Sequence, residues 1–202
     1  MSQYTNRTAV QNYLLVNIDT SFDTQIDEWC IAVSNWIDTY CNRDSFEQEA
    51  ATSKLYDGNG LDTLYVNDLL SVTKIEILDE DGSVDFTFDS TTMYYLYPAN
   101  KTPKTSIVIN SSNAPIGVFL KGKQNVKITG VFGYATTVPN EIKLVATRLV
   151  ASIIQEKNLD ATAEITSEKL GEYSINFQDI DKLANRLKNI EDILDRYRNI
   201  PL

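Results

Sequence analysis

The hydrophobic period of this chain changes twice along its length, and that change limits the folds open to it more than any other feature. Up to about Ser53 the apolar residues recur every three or four positions. From Lys54 to about Thr137 they alternate with polar ones, and after Val138 the longer period returns. A three-to-four residue repeat puts apolar side chains on one face of a helix, whereas alternation puts them on one face of a strand. The pattern therefore predicts an α+β fold. N-terminal helices (1–53) and C-terminal helices (138–202) form a small helical bundle, with a large antiparallel β segment (54–137) inserted between them.

In the first segment, Ile26, Trp29, Cys30, Val33, Trp36, Ile37, Tyr40 and Cys41 make a broad apolar face on a helix from about Asp23 to Asn42. A shorter helix, about Asn6 to Leu15, precedes it, and Thr20, Ser21 and Asp23 are candidate caps. In the second segment, strands are expected near 54–57, 61–66, 71–78, 84–88, 93–97, 105–109 and 125–134. Asp57-Gly58-Asn59-Gly60 and Asp81-Gly82 read as hairpin turns, because glycine supplies positive backbone dihedrals. In the third, Pro139 suits a first helical turn, and Ile142, Val145, Leu149 and Ile153 mark a buried stripe reaching about Lys157. An extended piece is expected from Glu164 to Phe177, then a final helix from about Asp179 to Asn199. On that helix Ile180, Leu183, Leu187, Ile190, Leu194 and Tyr197 are spaced alternately three and four apart, a heptad seam. Such a seam either docks into a partner's groove or closes the chain's own bundle.

Composition removes several chemistries. The 202 residues contain no histidine and two cysteines, so His-dependent nucleophiles, His-ligated zinc and four-cysteine zinc sites are excluded. The 28 acidic residues outnumber 18 basic ones, giving a net charge of −10, which argues against a protein that grips nucleic-acid phosphates. No signal peptide or membrane-length apolar run is legible, so a soluble protein made in a cytoplasm is expected. Cys30 and Cys41 stand about 16 Å apart along one helix, too far to bond, and are expected as buried thiols.

The acidic turns around Asp57, Asn59 and Asp62, and around Asp79, Glu80, Asp81 and Asp85, lack calcium-loop spacing: Leu61 and Val84 occupy positions that need an oxygen ligand and a glycine. A pair of carboxylates for glycoside hydrolysis is fixed by no motif, and Trp29 and Trp36 lie in a helix face rather than on a sugar platform. Gly58 and Gly60 do not sit between a strand and a helix as a phosphate loop requires. No catalytic residue, cofactor or metal is assigned, and an enzyme is not expected.

Three stretches carry a resemblance: Lys54-Leu-Tyr-Asp-Gly-Asn-Gly60 before a strand, Ile128-Thr-Gly-Val-Phe-Gly-Tyr134 running into Val138-Pro139, and Leu170-Gly-Glu-Tyr-Ser174 before Ile193-Leu-Asp-Arg-Tyr-Arg198. In this order they resemble the head-tail connector (adaptor) proteins of tailed bacteriophages, although Asp79 to Lys123 is longer than in compact helical members. The resemblance implies a structural virion protein at the head-tail junction that docks on the portal protein and forms a ring, usually of 12 copies. Such a ring extends the channel through which genomic DNA passes without specific binding, and meets a stopper or tail-completion protein on the tail side. It also implies that the C-terminal helix reaches the portal, which makes Ile180, Leu183, Leu187, Ile190, Leu194, Tyr197 and Arg198 the expected interface. An acidic lumen would keep DNA mobile, so carboxylates of the first segment or of Asp79 to Asp89 are expected to line it. Competing readings are another neck or tail component, such as a stopper or tail-completion protein, a β-rich binding module, and last an acid-based hydrolase.

Overall fold

In the computed structural model, residues 3–156, 177–187 and 189–199 are described. The fold is mixed α+β: N-terminal helices, a large antiparallel sheet, then C-terminal helices. It divides into a helical unit, Met1–Arg43 with Val138–Leu202, and a β unit, Asp44–Thr137.

In the helical unit, α1 (Arg7–Leu14) is capped by Asn6, whose side chain accepts from the Ala9 N–H at 2.9 Å. A 3-10 turn at Thr20–Phe22 leads directly into α2 (Asp23–Cys41). The cap in this region is Asp19, which accepts from the Ser21 N–H; none of the three expected residues caps α2, because the 3-10 turn already delivers the chain in helical geometry. Its other end stops at Asn42 in the left-handed conformation, a common ending for helices. Helix α2 buries Ile26, Trp29, Cys30, Val33, Trp36, Ile37 and Cys41 together, so both tryptophans are core residues. Helix α3 (Asn140–Glu156) starts just after Pro139, whose carbonyl accepts from the Lys143 N–H, and its stripe Ile142, Val145, Leu149 and Ile153 is buried.

The expected single helix from Asp179 to Asn199 is two helices, α4 (Phe177–Arg186) and α5 (Ile190–Asp195). Between them Asn189 takes a left-handed conformation (φ 76°), which ends the hydrogen-bond ladder. The extended piece expected over 164–177 and the stretch Leu170 to Ser174 lie outside the described residues, except that Phe177 opens α4.

The β unit contains β1 (Thr52–Gly58), β2 (Thr63–Leu78), β3 (Val84–Phe88), β4 (Tyr94–Tyr97), β5 (Lys104–Ile109) and β6 (Gly122–Phe132). Their order is β1-β6-β2-β5-β4, with β3 pairing β2, and every pairing is antiparallel. Two expectations change. The strands expected at 61–66 and 71–78 form one 16-residue strand, because a register shift between Tyr65 and Leu69 carries Asn67 and Asp68 through as a bulge and another follows between Leu69 and Ser71. The Asp57–Gly60 turn does not close a hairpin either, since β6 lies between β1 and β2. Gly60 does have positive φ (79°), but Gly58 is required for space: a Cβ there would lie 1.8 Å from the Leu120 carbonyl oxygen. Asp81-Gly82 does join two paired strands, β2 and β3, with Gly82 at φ 82°.

One face of the sheet closes a core of Leu64, Leu69, Ile75, Ile77, Phe88, Ile107, Phe119, Val126, Ile128 and Phe132, among others. Phe88 meets Phe86 and Tyr94 edge-on and lies 6.1 Å from the Phe119 ring. At the β2–β6 crossing Gly130 brings the two backbones together, with a Cβ there only 2.1 Å from the Ser71 carbonyl oxygen.

Candidate assembly surfaces

The C-terminal seam is mostly inside the helical unit. Ile180, Leu183, Ile190 and Leu194 are buried, Leu187 and Tyr197 are half-buried, and Arg198 is exposed beside the Tyr40 ring. Polar contacts hold both helices in place. Trp36 Nε1 donates to Asp181 at 2.6 Å, Tyr40 OH to Asp195 at 3.0 Å, and Tyr197 OH to Glu141 at 2.8 Å. The Asn199 N–H donates to the Cys41 carbonyl, and Arg43 Nε to that of Tyr197. With four of its apolar residues buried, the seam contributes to folding in the chain itself.

The acidic turns bind within the chain. Asp57 accepts from Lys123 Nζ at 2.6 Å and from the Gln124 N–H at 2.8 Å, and the lysine bond holds its carboxyl below the usual carboxylate range. Asp81 accepts from the Ser83 side chain and N–H, which lowers its pKa in the same way. Among the described residues no three acidic or cysteine side chains converge as a metal site would need. A cleft of about 640 Å³ separates the β2–β3 turn from the start of β6; its walls carry Asp79, Glu80 and Asp85 on one side and Lys121 and Lys123 on the other.

On α2, burial pushes the thiols of Cys30 and Cys41 up to about 12, so both stay protonated and unreactive near neutral pH. On the sheet, Glu76 is covered by two lysine side chains rather than by the core: Lys74 Nζ lies 2.5 Å and Lys127 Nζ 3.3 Å from its carboxylate. These bonds, that from Lys74 foremost, keep Glu76 ionised below the ordinary range.

The outer face of the sheet is the surface that the sequence did not reveal. Tyr56, Tyr94 and Leu96 pack toward the core, so by alternation Leu55, Tyr95 and Tyr97 point away from it. Tyr65 stands opposite Ser106, which stands opposite Tyr97, and Val108 separates Thr63 from Tyr95. Leu55, Tyr65, Tyr95 and Tyr97 are 49, 57, 51 and 45% exposed. Alternation within 93–97 was legible; that β4 ends the sheet was not, because strand order depends on pairing distant in sequence.

No protein-family model and no curated protein matches the chain. Among solved structures it is similar to a chain of the neck of an empty gene transfer agent (GTA) particle computed with C6 symmetry. That match has TM-score 0.55 at 13% identity and covers 96% of this chain and 89% of that one. Chains of the native particle's neck computed with C12 symmetry (TM-score 0.48, 12% identity, covering 96% and 91%) and of the native GTA virion (0.49, 12%, 96% and 89%) also align. The first of these matches spans both units and nearly the whole of each chain, and what the two chains share is the fold.

Proposed function

We propose that this chain is a structural neck protein of a tailed, phage-like particle: a head-tail connector (adaptor) that assembles as a ring between the portal protein and the tail-side neck. The observation that carries this reading is the likeness in fold to a gene transfer agent neck chain over 96% of the sequence. The order of the three resembling motifs, from Lys54-Leu-Tyr-Asp-Gly to Arg196-Tyr-Arg198, supports it independently. The sixfold symmetry of that neck suits rings of six or twelve copies, with twelve the reading we adopt. Residues 179–199 are the proposed portal-side element. Arg198 is already at the surface, whereas the buried seam residues reach a partner only if α4 and α5 leave their own unit. Asp19, Asp27 and Glu28, exposed near the start of α2, are the proposed lining of an acidic channel that repels DNA phosphates.

Native mass spectrometry of the chain, alone and mixed with the portal protein of the same particle, tests the reading. A ring, or a monomer that joins the portal only with residues 179–202 present, is expected. A monomer indifferent to the portal overturns it.

A further inference from the structure

We propose that β4 of one copy adds alongside β1 of the next, joining the sheets of neighbouring copies into one continuous run. The inference rests on the ring reading above and names its contact. Strands β1 and β4 are the two ends of the path β1-β6-β2-β5-β4. Four antiparallel steps separate them, so they run in the same direction. A rotated copy can therefore place its β1 beside β4 as a parallel pair, and repetition of that head-to-tail contact closes a ring when the rotation divides a full turn.

Edge strands that must stay alone are usually guarded by charge. Strand β3, the remaining edge, contains Asp85 and is followed by Asp89. Strand β4 consists of Tyr94, Tyr95, Leu96 and Tyr97 and has no charge. The Asn110 N–H donates to the Met93 carbonyl, so alternation along the antiparallel pair turns the backbone groups of Tyr94 and Leu96 to the open side. In β1 the charge of Lys54 is directed away from the outer face, over the Phe132 ring and onto Asp44 at 2.6 Å, and that of Asp57, at the register shift near the end of the strand, is paired with Lys123 Nζ of β6 at 2.6 Å. On the outer face β1 offers Leu55, with Ser53 and the Lys123-paired Asp57 on either side of it, and β4 offers Tyr95 and Tyr97. Joined strands set such side chains about 5 Å apart, where aromatic and aliphatic partners cover each other. A second copy is thus the occupant for which both the direction and the side chains match.

Cysteine cross-linking tests this, since Cys30 and Cys41 are buried and do not compete. Full-length chains carrying Leu55→Cys with either Tyr95→Cys or Tyr97→Cys are oxidised after assembly, alone or on the portal protein, and run without reductant. A ladder of multiples is expected from at least one pair, because adjacent strands bring Cα atoms within disulfide reach. In parallel, Tyr95→Lys with Tyr97→Lys should raise the concentration needed for ring formation at least tenfold while the circular dichroism stays unchanged. Cross-linking of Tyr95→Cys to itself means a two-fold β4–β4 pair and overturns the proposal. So do rings that assemble normally in the lysine variant without any ladder, which leave the neck reading standing. A parent chain that forms no ring in either setting removes the neck reading together with this inference.

Discussion

The helical unit and the β unit treat their apolar surface in opposite ways. Helices α4 and α5 turn Ile180, Leu183, Ile190 and Leu194 into the interior, and hydrogen bonds from Trp36, Tyr40 and Tyr197 fasten them there. The sheet hides one face but leaves Leu55, Tyr65, Tyr95 and Tyr97 in water on the other. A helix satisfies its backbone internally and needs only one stripe covered, whereas an open sheet always ends in strands whose backbone is half paired. The apolar seam that in sequence suits either docking or closure of the chain's own bundle is buried within the helical unit, and the large apolar side chains left in water lie on the sheet.

Four substitutions break or sharpen that contrast. Gly130→Val has the largest expected effect, a loss of about 4 kcal/mol, because its first carbon meets the Ser71 carbonyl oxygen on a neighbouring strand that cannot yield. Urea denaturation measures it, and a variant as stable as the parent would show that β2 and β6 are not held so closely. Leu194→Ala should cost about 3 kcal/mol, since it empties a fully buried site. A Leu194→Ala chain that keeps its stability but no longer binds portal would assign the seam to docking instead.

Asn6→Ala removes the cap of α1 and should lower stability by about 1 kcal/mol in a thermal melt, with Asn6→Asp restoring it. Glu76→Gln should matter least, under about 1 kcal/mol at neutral pH, because its lysine partners are partly in water. Its sign with pH is fixed by the lowered folded pKa: the stabilisation is present above the unfolded value of 4.5 and fades as the pH falls below it. Acid titrations of parent and variant should therefore converge below pH 4.5; a gap that widens there would contradict the lysine bonds.

Much of the architecture was legible in local pattern. The helices at Arg7–Leu14, Asp23–Cys41 and Asn140–Glu156 follow from apolar spacing and polar starts, and β3 to β6 follow from alternation. Two strands were expected at 61–66 and 71–78, a hairpin at the glycines after Asp57, and one helix along the heptad from Ile180 to Tyr197. At the first two, long-range pairing overrode a local preference, since a bulge carries Asn67 and Asp68 and β6 comes between β1 and β2; at the third, the left-handed Asn189 separates two helices.

By itself the sequence determined the α+β class, the absence of imidazole chemistry, the acidic charge and the burial of Trp29, Trp36 and both thiols, since these depend on composition and on neighbours within a turn or a pleat. Only the tertiary structure decided which strands end the sheet, which tyrosines stay in water, and that the C-terminal seam is already covered. Those depend on pairings between residues such as Leu55 and Lys127 or Tyr95 and Val108, and on the crossing of β2 with β6, whose partners are brought together by the topology of the sheet.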